Sequence, residues 1–302
     1  MRRIARILSS LVLAFACAAP VAHAKVRVGA STNDLASIAA TVGGPEVEVF
    51  SLAPAGSDPH RVEALPSSMV RVSRAQVFLK VGLGLDQWAD AIVEGSRNAR
   101  LRVVDCSRGV HVLEVPTGQV DASMGHVHPD GNPHYWLDPR NGAVVANTVA
   151  EALCVLDPSH AADYRARAAA FGRDARAALG RGRARVATLA SRRMFTYHRS
   201  WPYLADAYGF EIVGTVEPVP GIPPTARHLA SLVATARTSN VRLLLQEPYF
   251  SPDAGRFLAR EASVRTVVAS PSCASTRPGS YLEQFETLLT ALVGESAPRS
   301  PR

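Results

Sequence analysis

What most constrains this chain is a rhythm of short β-branched runs separated by helix-compatible stretches, interrupted once by a long stretch without proline. Lys25-Val26-Arg27-Val28-Gly29-Ala30-Ser31, Val47-Glu48-Val49-Phe50, Ala75 to Gly82 and Leu101-Arg102-Val103-Val104-Asp105 each read as one strand. A helical stretch near Leu35 to Val42 and further helix-compatible sequence lie between them. The rhythm resumes with Met194-Phe195-Thr196-Tyr197, Phe210-Glu211-Ile212-Val213, Val241 to Leu245 and Val264 to Val268. Strands that alternate with helices predict parallel sheets in an α/β architecture, because a parallel neighbour needs a crossover between strands.

The interruption predicts the organisation. After Asp138-Pro139, helical periodicity runs from Ala143 to Val155, and Asp157-Pro158-Ser159 supplies a fresh helix start. From His160 to about Leu189 there is no proline, and Tyr164, Phe171 and Leu179 recur at the spacing of one long amphipathic helix. Gly172, Gly180 and Gly182 oppose this, at roughly 1 kcal/mol each relative to alanine. The expected layout is a signal segment (1–24), a first lobe (25–156), a linking helix (157–190), a second lobe (191–296) and a disordered tail (297–302).

The signal segment rests on Met1-Arg2-Arg3-Ile4-Ala5-Arg6, an apolar run from Ile7 to Ala19, and the small-x-small Ala22-His23-Ala24. That run is too short to anchor a chain in a bilayer. Phe15 stands where a lipidated Cys17 would need a small residue. A secreted product starting at Lys25 is expected, in the periplasm of a cell with two membranes, without direct membrane insertion. The formal charge of +7 includes three arginines of the signal segment; without them 30 basic face 26 acidic residues, leaving +4. No basic stripe of the kind nucleic acid demands is visible. Cys106, Cys154 and Cys273 remain, enough for one disulfide and a spare thiol in an oxidising compartment. None lies in a close pair, which excludes a cysteine-rich zinc cluster.

Three histidines stand where an open α/β sheet places its ligands, in turn-rich loops beyond strands. His60 closes Ala53-Pro54-Ala55-Gly56-Ser57-Asp58-Pro59-His60; His134 lies in Gly131-Asn132-Pro133-His134-Tyr135-Trp136-Leu137-Asp138-Pro139; His198 follows Met194 to Tyr197. Neutral imidazole suits Zn²⁺, and three leave a fourth tetrahedral position for a carboxylate or water. Spacing alone does not assemble them, since no compact metal motif contains all three.

Five segments together resemble the zinc/manganese-binding proteins of ABC transporters, the TroA-like or cluster A-I solute-binding family. They are Gly56 to His60, Asn132 to Pro139, Thr196-Tyr197-His198-Arg199-Ser200-Trp201, Glu217-Pro218-Val219-Pro220-Gly221-Ile222-Pro223-Pro224 and Gln246-Glu247-Pro248. The resemblance covers nearly the whole mature chain. It implies two lobes joined by one long helix, His60 and His134 as ligands from the first lobe, His198 from the second, and an ABC permease as partner of a monomeric carrier. A histidine rather than a carboxylate at the third position favours Zn²⁺ over Mn²⁺. Many relatives carry an aspartate on the late loop that here reads Val268-Ala269-Ser270-Pro271-Ser272-Cys273, so the fourth ligand stays open among Glu247, water, Asp58 and Cys273. His126 and His128 make a short version of a metal-collecting loop found in some relatives, or a plain polar loop. His111, His160 and His228 read as surface or capping residues, and Asp138 as a helix cap. The alternatives are the same fold carrying Mn²⁺ or Fe, a zinc-dependent hydrolase using Glu247 as base, or an adhesin; no HExxH stretch supports the hydrolase.

Overall fold

The computed structural model describes residues 24–118 and 128–294. The signal segment up to residue 23, His126 and the tail 297–302 lie outside the described residues. Among the described residues, eight strands form two four-stranded parallel sheets. The first sheet holds β1 (Val26–Ala30), β2 (Val47–Ser51), β3 (Val77–Lys80) and β4 (Arg102–Asp105) in the order β2-β1-β3-β4. The second holds β5 (Arg193–Thr196), β6 (Glu211–Thr215), β7 (Leu243–Gln246) and β8 (Arg265–Val268) in the order β6-β5-β7-β8. Each half therefore repeats one topology, with strand order reversing beside its first strand. In such sheets the crevice at that reversal, outside the carboxyl ends of the strands, is where ligands bind.

Nine helices cover the sheets among the described residues. In the first half these are α1 (Asn33–Gly43), α2 (Pro66–Ser73), α3 (Trp88–Gly95) and α4 (Pro139–Leu156). Then come α5 (Ala161–Val186), α6 (Pro202–Tyr208), α7 (Ala226–Thr238), α8 (Asp253–Ala262) and α9 (Ser280–Val293). Helix α4 begins four residues earlier than periodicity suggests, because Asp138 caps it: its carboxylate accepts the Arg140 N–H at 2.7 Å, and Pro139 takes the first turn. Helix α5 runs 26 residues, about 39 Å at the usual rise, with Tyr164, Phe171 and Leu179 buried along one face. No helix among the described residues is long and apolar enough to cross a membrane.

Helix α5 is not the only tie between the halves. Helix α9, from the second half, packs against α1 and α5. The loop leading into it, together with its first turn, is laced to α1: Asn33 Nδ2 donates to the Cys273 carbonyl (3.1 Å), Ser37 Oγ to the Arg277 carbonyl (2.8 Å), and the amides of Cys273, Gly279 and Tyr281 donate to Asp34, Thr41 and Ser37. The Tyr281 hydroxyl reaches the Trp136 carbonyl at 2.7 Å. One apolar cluster accordingly runs from Val28 and Leu35 through Trp136, Phe171 and Met194 to Leu245 and Phe285. Two smaller ones sit under the outer helices of each half. Cys106, Cys154 and Cys273 are all buried free thiols, so the disulfide that the compartment would permit is not formed between them.

Candidate metal centre

The loops at the carboxyl ends of the strands bring His60, His134 and His198 together. Their ligand atoms all lie within 4.8 Å of one another. Ring centroids are 5.1 Å apart for His60 and His134, 5.5 Å for His60 and His198, and 5.8 Å for His134 and His198. Tetrahedral Zn²⁺ with nitrogen ligands at its usual bond length spaces neighbouring nitrogens about 3.4 Å apart. A small inward movement would close the triangle around such an ion.

Each ring is held by its Nδ1. Asp58 Oδ1 accepts both the His60 backbone N–H (3.0 Å) and its Nδ1 (2.8 Å). Asn132 Oδ1 does the same for His134, at 3.0 and 2.9 Å. Asp58-Pro59-His60 and Asn132-Pro133-His134 thus build one local device twice: an acidic or amide side chain bends back over a proline, which has no N–H to compete, and grips the histidine two residues on. The third ring is held across strands. His198 follows β5, and its Nδ1 meets Glu217 Oε2 at 2.6 Å in the loop after the neighbouring β6. The same oxygen accepts the Gly221 N–H at 3.0 Å. A proton on Nδ1 leaves Nε2 as the basic, metal-binding nitrogen, and partners of this kind set the ring orientation of metal-ligating histidines.

Electrostatics differ from ring to ring. Burial, then the neighbouring His60, His198 and His128 rings, push the His134 imidazole well below the usual histidine range, so it stays neutral. Burial also disfavours a charged His198, but its bond to Glu217 and the charges of Glu247 and Asp58 outweigh this and raise it. Burial alone would raise the Asp58 carboxyl; the His60 ring beside it holds it below its normal range.

Glu247 follows β7 and is fully buried. Its Oε1 accepts the Ser200 hydroxyl at 2.7 Å, while Oε2 is buried without a hydrogen-bond partner. Burial raises its carboxyl, and His198 and Ser200 partly offset that. Glu247, Asp58 and Cys273 stand outside the trio of mutually close ligand atoms. Asp58 is committed to His60, and Cys273 lies against Ser275 and Asp34 on the α1 side, its thiol donating to the Ser275 carbonyl at 3.3 Å. His128 stacks on His60 with ring centroids 5.4 Å apart. Asp138 caps α4 as expected, whereas the cap of α7 is Thr225, whose hydroxyl accepts the His228 N–H; His228 Nε2 meets the Thr215 carbonyl at 2.8 Å. The orienting roles of Asn132 and Glu217 were missed from sequence, although the repeated Asx-Pro-His pattern carried the signal for the first.

Two parallel sheets of like topology meeting at a cleft lined by histidines define a solute-binding protein for a metal ion. The family model described as "ZnuA: Zinc-uptake complex component A periplasmic" matches residues 28–294, and the chain belongs to that family. Among curated relatives, the chain is similar to the manganese-binding lipoprotein MntA of Halalkalibacterium halodurans (29% identity, 64% of this chain and 61% of the relative). It is similar also to the iron-binding protein YfeA of Yersinia pestis (24%, 80% and 75%) and the zinc-binding protein AdcA of Streptococcus pyogenes serotype M1 (23%, 83% and 51%). The chain thus spans about half the length of AdcA. A ZnuA crystal structure superposes with a TM-score of 0.77 at 25% identity, over 89% of this chain and 98% of that one. The family consists of metal-binding carriers rather than enzymes, which sets the hydrolase alternative aside.

Proposed function

We propose that this protein captures Zn²⁺ in the cleft between its two lobes, with His60, His134 and His198 as ligands, and delivers it to an ABC permease for uptake. The observation that carries this reading is the convergence of three imidazoles, each with its Nδ1 tied to a fixed oxygen, whose ligand atoms lie within 4.8 Å of one another. A set of three imidazole nitrogens, with no carboxylate in the close group, is softer than the oxygen-rich sites that suit manganese. Glu247 completes the shell when the ion draws its carboxylate inward; otherwise water does. The carrier acts as a periplasmic monomer after removal of residues 1–24, with lobes 25–156 and 191–296 joined through 157–190.

Relatives named for manganese and iron make the same site with another metal the reading to be tested against. Chelator-stripped protein titrated with Zn²⁺, Mn²⁺ and Fe²⁺ in competition should prefer Zn²⁺. Replacing His60, His134 or His198 by alanine should weaken Zn²⁺ binding on the order of tenfold or more, with unchanged thermal unfolding of the metal-free protein. Equal affinity in the parent and any of the three variants would remove that residue from the site, and preference for Mn²⁺ or Fe²⁺ would replace the cargo.

A further inference from the structure

The hold on His134 does not stop at Asn132. The Asn132 amide donates from Nδ2 to Glu114 Oε2 at 2.9 Å and to the Arg199 carbonyl at 2.8 Å. Turned end for end, it would set its NH₂ against the two N–H groups of His134 and its oxygen against a carboxylate and a carbonyl. These two acceptors therefore decide which end of the amide faces His134, and so which nitrogen of that ring keeps its proton. Glu114 is itself gripped by Arg199, with Nη2 2.8 Å from Oε1 and Nε 3.0 Å from both carboxylate oxygens. Paired contacts of this kind between guanidinium and carboxylate are stronger and more directional than an ordinary surface ion pair.

The placement of these groups gives the pair its meaning. Arg199 follows His198 in the second lobe, whereas Glu114, Asn132 and His134 belong to the first. One ion pair thus spans the lobes, sets an amide, and stands next to two of the three clustered histidines. It forms part of the wall of a cavity of about 370 Å³ that also takes in His128, His134, His198 and Pro220. Glu114 sits at a φ of 53°, a left-handed backbone that residues with side chains seldom adopt unless their surroundings hold them there. Beside it the buried Tyr203 hydroxyl, also from the second lobe, accepts the Leu113 N–H at 2.9 Å and donates to the Asn132 carbonyl at 2.8 Å.

We propose that Glu114 and Arg199 form an interlobe latch that positions His134 for the metal. With the latch shut, Asn132 presents its oxygen and His134 keeps Nε2 basic and aimed into the cleft. When the lobes part, the ion pair breaks, the amide is released, and His134 loses its fixed orientation, so lobe separation and metal release become one event. Glu114 is a positioning residue that acts through Asn132. This inference rests on His134 being a ligand.

The test measures Zn²⁺ release to excess chelator by stopped flow for the parent, Glu114→Gln, Arg199→Met, the double variant and His134→Ala. The expected result is release faster by on the order of tenfold in either latch variant, with the double variant no faster than the single ones. Nitrogen NMR of the zinc-free protein should show one His134 tautomer in the parent and a mixture in Glu114→Ala. Parent-like release in both latch variants, additive effects in the double variant, or an unchanged tautomer would each overturn the latch. His134→Ala separates the two ideas: unchanged zinc affinity there defeats the ligand assignment, whereas weakened affinity alongside parent-like latch variants defeats the latch alone.

Discussion

At the scale of residues, the centre is built by partners as much as by ligands. Glu217 raises the His198 imidazole, and the metal-binding form of that ring is the neutral one. Protons therefore compete for His198 from a higher pH than for an ordinary histidine, and zinc affinity is lost as pH falls through that raised value. Glu217→Gln removes the charge, lowers the histidine, and should move the midpoint of the pH profile of zinc binding downward, while weakening the plateau at high pH. A midpoint that moves up would contradict this assignment. The buried Oε2 of Glu247 gives a second residue-scale prediction: if the carboxylate joins the shell, Glu247→Ala should cost about tenfold in zinc affinity. Zinc-edge absorption would then report a lighter ligand set. Parent-like affinity and an unaltered absorption spectrum would leave water as the fourth ligand. The three histidines were legible because each sits in a loop beyond a strand. Asn132 and Glu217 were not, since their importance lies in which atom of a ring they touch.

At the scale of elements, the strand rhythm was readable because β-branched runs and helical stretches differ in period, and all eight strands lie where the pattern put them, to within a few residues. The long helix was legible in its apolar face and blurred at its ends. It starts at Ala161 because Asp157 collects the Ser159 and Tyr164 hydroxyls and the His160 ring into a preceding turn. Its glycines, alike in sequence, are unlike in space. A Cβ on Gly182 would come within 2.4 Å of the Tyr208 ring and 2.5 Å of Leu289, whereas one on Gly180 meets nothing within 4 Å. Gly180→Ala should therefore stabilise by about 1 kcal/mol, the full helix-propensity gain. Gly182→Ala should destabilise by roughly 1–3 kcal/mol through overpacking despite the same propensity gain. Denaturant unfolding of the two variants compares them directly, and equal shifts would refute the close approach of α5 to α6 and α9.

At the scale of the whole molecule, what sequence could not disclose is the return of α9 to the first lobe. Its polar partners on α1 lie some 240 residues away, and no local pattern marks them. The buried Asp34 within this lacing gives a pH signature. Burial pushes its carboxyl up to about 6, against 3.8 in an unfolded chain, with the Cys273 N–H only partly offsetting it. The folded state thus holds the proton more tightly, so its contribution is favourable below pH 4 and declines as pH rises through 6. Asp34→Asn should flatten that decline and raise stability at neutral pH by up to about 3 kcal/mol, read from denaturant midpoints at pH 4, 6 and 7. A variant whose slope over that range matches the parent would show that Asp34 does not titrate there.

The same lacing dictates an order of events in biosynthesis. Asn33, Ser37 and Thr41 leave the ribosome early, but their partners in this lacing arrive only with residues 273 to 281. This part of the first lobe therefore gains its full set of contacts only when nearly the entire polypeptide has been made, and contacts of such separation form slowly. A nascent chain so delayed stays threadable, which is the state that the export proposed above would require of it.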